Sequence, residues 1–258
     1  MPIRTVRLAL ALLTAAAAHA QPASSAPRTG ADVLTRMHAA YDGRWYHTLT
    51  FKQQTTIYRP NTAPIIETWY ESLRHTPATG VQLRIDRGAP SAGNGTLYTS
   101  DSTWVIRGGA VVATRGEGND FLPLIEGVYV QPVATTVKQV EAMHVDLAKV
   151  RAGTWASRRV WVVGAAAGDS TSAQFWVDAE RNVVVRMILP GPPNQPSLDI
   201  VLGGYERTGG GWLATKITMS AGGVPRQAEV YSDWKVDVPL APALFDPMSW
   251  TTAPHWVR

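Results

Sequence analysis

The sequence predicts a mainly β protein with a few helices, built on one large curved antiparallel sheet of about 10–12 strands. Three observations carry that expectation. Apolar and polar residues alternate with period two through most of the chain, and Gly, Pro, Asn and Asp clusters punctuate the alternation. Helical spacing shows only near the start and in one mid-chain stretch. No repeat and no long linker divides the 258 residues, so the strands belong to a single domain, residues 31–247, followed by a tail, 248–258.

At the amino terminus, Arg4 and Arg7 precede the apolar run LALALLTAAAA and the small-residue sequence Ala18-His19-Ala20. This is the pattern of a secretory signal peptide, residues 1–20, cleaved near Ala20. The run is shorter than the roughly 20 residues of a membrane span. With no cysteine in the chain, an amino-terminal lipid anchor is not expected either. Residues 21–30 are rich in Pro, Ala and Ser and read as a flexible leader. Of 24 Lys and Arg, two leave with the signal, so the mature chain is almost balanced against 20 Asp and Glu. The basic residues are scattered, which argues against nucleic acid as a partner.

Helix follows the leader. Thr29 with Asp32 has the spacing of a capping box, Val33, Leu34, Met37, Ala40 and Tyr41 recur at helical intervals, and Gly43 ends the run. Strands are then expected at 45–58, 65–74, 81–87, 96–99, 103–107 and 110–114, with Gly108-Gly109 as a two-residue hairpin signal. A second series falls at 157–164, 173–178, 183–189, 197–205, 212–220 and 226–236, broken by Gly168-Asp169, PGPPNQP, Gly209-Gly210-Gly211 and Gly222-Gly223. Val81, Leu83 and Ile85 alternate with Gln82, Arg84 and Asp86; Leu213, Ile217 and Met219 alternate with Ala214, Lys216 and Thr218; Val230, Trp234 and Val236 alternate with Glu229, Asp233 and Lys235. Each pattern implies one apolar and one wet face. A sheet this long accumulates twist and curls, leaving a concave face that is either filled or open.

Between the two series lies NDFLPLIEGVYVQPV, residues 119–133. Pro123 suits the first turn of a short helix, and a second helix is expected from Pro132 to about His144. Inserted in mid-meander, both helices belong across the mouth of the sheet. Phe121, Leu122, Leu124, Ile125, Val128 and Tyr129, at roughly 1.5–3 kcal/mol for each one buried, must be covered.

Catalytic motifs are absent. The histidines are dispersed without a His-x-x-x-His pair, and there is no Gly-x-Ser-x-Gly elbow. Neither a metal nor a cofactor is expected, and the chain reads as no enzyme. Glu67 and Glu71 share a strand face with Trp69. That face reads as outward, crossing an edge; the alternative is a carboxylate pair around a sugar platform.

The helix ADVLTRMHAAYDG running into WYHTLTFKQQTTI, the mid-chain helices, the hairpin FWVDAERNVVVRMIL and the late VPLAPALFDP together resemble the LolA-like proteins of the Gram-negative periplasm, over nearly all of residues 31–247. The resemblance implies an unclosed half-barrel whose concave, hydrophobic face is covered by helices and binds acyl chains. It also implies a ligand-side arginine, for which Arg74 and Arg84 lie on suitable strands. On that arrangement, cleft and lid would be formed by Phe51, Trp69, Leu83, Ile85, Trp104, Phe121, Leu122, Ile125, Tyr129, Trp176 and Met187. The expectation is a periplasmic monomer that binds or carries lipid or lipoprotein acyl chains and meets a periplasmic or membrane protein partner. Two alternatives stay open: a sensor or accessory module of the same fold, and a glycan-acting enzyme.

Overall fold

The computed structural model describes residues 26–257; the expected signal peptide and the first half of the leader lie outside them. The chain opens with α1 (Gly30–Tyr41), whose capping box is formed: the Thr29 hydroxyl accepts from the Asp32 backbone N–H and the Asp32 carboxylate accepts from that of Thr29. One face of α1, with Val33, Leu34, Met37 and Tyr41, is buried.

Six strands follow as a meander, β1 (Thr48–Ile57), β2 (Ile65–Thr76), β3 (Gly80–Arg87), β4 (Gly95–Tyr98), β5 (Thr103–Arg107) and β6 (Ala110–Arg115). Gly108 and Gly109, both at positive φ, make the expected tight turn between the last two. A π-helical turn, Pro123–Gly127, leads through α2 (Val128–Val130) to α3 (Val133–Ala142). A second meander comprises β7 (Val150–Trp155), β8 (Arg158–Val163), β9 (Gln174–Asp178), β10 (Val184–Leu189) and β11 (Leu198–Gly203). After a small separate hairpin, β12 (Glu206–Thr208) with β13 (Gly211–Leu213), it ends in β14 (Lys216–Ala221) and β15 (Val224–Val236).

These strands, the hairpin aside, make one 13-stranded antiparallel sheet, ordered β6-β5-β4-β3-β2-β1-β15-β14-β11-β10-β9-β8-β7 and not closed into a barrel. The order has a direct consequence. The two edge strands, β6 and β7, are neighbours in sequence, so residues 116–149 must run from one edge of the sheet to the other. The helices they carry therefore lie over the concave face. The main core forms between that face and the helices, from Leu34, Met37, Leu124, Val128 and Val140 against Leu49, Leu73, Phe175 and Ile200.

The convex face differs from the wet surface that alternation implied. Gln82, Arg84 and Asp86 are buried, because the carboxy-terminal segment folds back over this part of the sheet. Leu244, Phe245 and Trp250 pack there with Leu97 and Ile106, and the Trp256 indole N–H donates to the Ser72 hydroxyl, 2.9 Å. Arg84 lies under Trp250, its guanidinium carbon 3.8 Å from the ring centre, paired through two bonds with Asp86.

Two local features differ from the sequence expectation. The edge strand β7 falls between the helix expected to end at about His144 and the strand expected at 157–164, where the sequence predicts no element, and the expected strand 212–220 is interrupted so that β13 pairs with β12 instead. The Gly209-Gly210 turn of that hairpin sits on the chain entering β1: a Cβ on Gly210 would collide with the Arg44 carbonyl, and one on Gly211 with the Trp45 ring. Gly210→Ala is expected to lower stability by about 1–3 kcal/mol through this forced overlap. Gly203→Ala, whose Cβ would meet nothing within 4 Å, serves as the near-neutral comparison in urea titrations.

Candidate functional site

The inner face of β1, β2 and β3 is set by alternation and cross-strand register. Leu49 faces Leu73, which faces Leu83; one row on, Phe51 faces Glu71 and Glu71 faces Ile85; next, Gln53 faces Trp69 and Trp69 faces Arg87. Along the strands the surface thus passes from aliphatic to mixed to polar. β15 extends it with Gln227, Glu229 and Tyr231, and β14 with Ile217 and Met219. Above them lie Phe121, Leu122, Ile125 and Glu126 of the π turn and the residues leading into it. Together these enclose a cavity of about 280 Å³. A π-helical turn over a cavity is a common mark of a functional position.

β15 reaches the cavity through a bulge. Thr50 pairs with Lys235 but Lys52 pairs with Ser232, so one extra residue is accommodated on β15, where Asp233 adopts φ 53°. The bulge inverts the alternation. Val236 stays inward opposite Leu49, yet beyond Asp233 it is Tyr231 and Glu229 that turn inward, while Val230 is 46% exposed. The sequence pattern had put Val230 on the apolar side and Glu229 on the wet one.

Of the residues expected to line cleft and lid, Phe51, Trp69, Leu83, Ile85, Phe121, Leu122 and Ile125 surround the cavity. The other four do not. Trp104 lies on the convex face with Leu97, Ile106 and the carboxy-terminal segment. Trp176 packs on the same outer face with Val160, Val162 and Val185, edge-on to Trp155. Tyr129 is core, stacked 3.8 Å from Trp45 with its hydroxyl donating to the Asn182 carbonyl. Met187 is fully buried across from Phe175 and Ile200. Neither arginine singled out faces the cavity either: Arg84 is under the carboxy-terminal segment, and Arg74 lies over the Phe245 ring. Arg87 is the arginine on the cavity side, its guanidinium 4.6 Å over Trp69.

Glu71 was read as outward, and the structure places it inward. β2 is an interior strand, and its odd-numbered residues Glu67, Trp69, Glu71 and Leu73 share the concave side, the last three lining the cavity. Glu71 is only 3% exposed. Burial raises its carboxyl well above the usual range, the charge of Glu229 adds to this, and Arg87 opposes it. Glu229 is raised too, by burial, although the Tyr231 hydroxyl (2.8 Å) and the Gln227 amide (2.6 Å) donate to it. Glu126 is pushed up to about 7 by burial, against the donors Trp45 Nε1 (2.9 Å) and Tyr46 OH (2.8 Å).

A second hollow of about 420 Å³ adjoins the cavity, with Thr99, Ser100, Glu117, Asp120 and Gln139 on its walls. Asn119 and Leu122 line both spaces, so they form the partition between them. Among the described residues no group of three or more His, Asp or Glu side chains is arranged to hold a metal ion, and no helix is long and apolar enough to cross a membrane.

This architecture recurs in solved structures. A domain from Vibrio parahaemolyticus named for outer membrane lipoprotein sorting superposes with a TM-score of 0.59 at 10% identity, over 86% of this chain and 98% of that one. A LolA superfamily protein from Nitrosomonas europaea gives 0.51 at 11% identity, over 82% and 96%. The fold is LolA-like. A DUF1329 family protein from Desulfovibrio piger shares this LolA-like sheet, with a TM-score of 0.56 at 14% identity over 84% and 95% of the two chains. No protein-family model matches the sequence, and no curated protein sequence matches it. The LolA-like assignment therefore rests on shape and topology.

Proposed function

We propose that the protein is a periplasmic binding or carrier protein for lipid or lipoprotein acyl chains, and not an enzyme. The observation that carries this is the cavity, aliphatic at one end, roofed by a segment that bridges the two edges of the sheet. Each methylene transferred into it is worth about 0.8 kcal/mol, so shape and apolar lining suffice for affinity. At about 280 Å³ the space is slightly below the roughly 300–1,000 Å³ of ordinary ligand sites. A short chain fits as the structure stands, and a long one requires Leu122 to withdraw and join the two hollows. The similarity to a domain named for lipoprotein sorting supports the same reading.

A fluorescent fatty acid is expected to bind the purified protein and to be displaced by unlabelled lipid. Ala214→Phe puts a large ring at a small cavity-lining position, and is expected to reduce uptake by about tenfold or more through lost volume, with the unfolding midpoint little changed. Full uptake in a folded Ala214→Phe protein would remove the cavity from the reading.

One observation favours a second reading. Glu71 and Glu229 flank Trp69 and Gln53 in the same cavity, as a glycan hydrolase would require. Such an enzyme needs one carboxyl protonated and its partner ionised, whereas both of these are pushed in the same direction. Hydrolysis of an aryl glycoside that vanished in Glu71→Gln would reverse the preference between the two readings.

A further inference from the structure

Three buried glutamates touch the cavity, and they are not equivalent. Glu126 is held by an indole and a phenol, Glu229 by a phenol and an amide. Glu71, on the central floor between Phe51 and Ile85, accepts no hydrogen bond from any described residue. A carboxyl nearly sealed from water and without a donor is costly to ionise, and burial holds Glu71 toward its protonated form. The cost is recovered when an occupant of the cavity supplies the donor.

The surroundings narrow what that donor is. Arg87 is one strand and one row away, diagonal to Glu71; its guanidinium lies over the face of Trp69, and its Nε is buried without a hydrogen-bond partner. One guanidinium stands among the three carboxyls of Glu71, Glu126 and Glu229, which burial holds toward their protonated forms, so a cationic head supplies the charge that lets Glu71 ionise. An incoming carboxylate or phosphate would find one open donor, Arg87 Nε, among three carboxyls, while a quaternary ammonium would bring charge without an N–H. Beyond Glu71 along the strands the floor is Leu49, Leu73 and Leu83, which suits an alkyl chain.

We infer that the cavity takes a single-chain amphiphile with a primary ammonium head, the chain lying on the leucine row and the head donating to Glu71. This rests on the acyl-chain reading above and adds the chemistry of the head. Trp69 and Trp212 both line the cavity, so intrinsic fluorescence reports occupancy.

The test compares decylamine, decanol and decanoate at matched chain length, titrated below their micelle concentrations into the native protein and into Glu71→Gln. The amine is expected to bind about tenfold or more tightly than the alcohol, as a charge-assisted hydrogen bond in a dry site would give, and decanoate is expected to bind weakest. Glu71→Gln keeps the shape of the side chain and is expected to abolish the preference of amine over alcohol. Equal affinity for amine and alcohol, tighter binding of decanoate, or an amine preference surviving in Glu71→Gln would overturn the inference while leaving chain binding intact. Binding of none of the three would overturn the chain reading as well.

Discussion

Arg84→Met is expected to lower the unfolding free energy by about 3–5 kcal/mol, the usual cost of stranding one member of a buried ion pair. The side chain is 1% exposed and Asp86 is fully buried. Arg84 donates to both Asp86 oxygens, 2.7 and 2.8 Å, and to the carbonyls of Leu244 (3.3 Å) and Trp250 (2.9 Å). Removing it leaves a carboxylate with only His255 beside it, at 3.1 Å, and unfastens two points of the carboxy-terminal segment. Combining Arg84→Met with Asp86→Leu removes the stranded charge and is expected to restore much of the loss, because apolar replacements of buried pairs are often tolerated. Urea midpoints measure the stability, and limited proteolysis reads release of residues 240–257. A single mutant as stable as the native protein would mean that the segment is held by apolar packing alone.

The protein is also expected to be less stable at pH 8 than at pH 5, with Glu126 contributing on the order of 3 kcal/mol to the difference. The folded state keeps the Glu126 proton up to about pH 7, while the unfolded chain releases it near 4.5. Over that window the folded state binds more protons, so stability falls as pH rises and levels off above it. Glu71, Glu229 and Asp120, raised chiefly by burial, act in the same direction. Carboxylates lowered by their partners, such as Asp178 with Arg158, act in the opposite direction but below the usual carboxylate pKa. Glu126→Gln can still satisfy Trp45 and Tyr46. It is expected to match the native protein near pH 5 and exceed it at pH 8 in urea titrations. An undiminished pH difference in Glu126→Gln would assign the effect to the other acids.

Most of the sheet could be read from the chain because its signals are local. Val81, Leu83 and Ile85 alternate cleanly, and Gly108-Gly109 closes a hairpin in two residues. The misreadings have a common cause: partners distant in sequence. Gln82, Arg84 and Asp86 look like a solvated face until Trp250 and Leu244 arrive from some 160 residues downstream. Trp104 and Trp176 sit on strands apolar on both faces, so neither parity nor size tells which side each takes. Glu229 and Tyr231 were missed because a single extra residue at Asp233 inverts the period, and Ser-Asp-Trp carries no distinctive mark of a bulge. β7 was missed because Ala152 and Gly153 interrupt its alternation and, as an edge strand, it is half covered at most.

The strand order also bears on how the chain reaches this state. β1 and β15 pair Leu49 with Val236 at the centre of the sheet, joining residues from opposite ends of the sequence. Such a contact closes the longest loop in the molecule and comes late in folding. In vectorial synthesis or export, β1 through β6 can zip up as hairpins while the edge of β1 still waits for a strand not yet delivered. Until then that edge, with Phe51 beside it, is open to pairing with another chain. The middle of the finished sheet is therefore the part of it that is sheltered last from pairing with another chain.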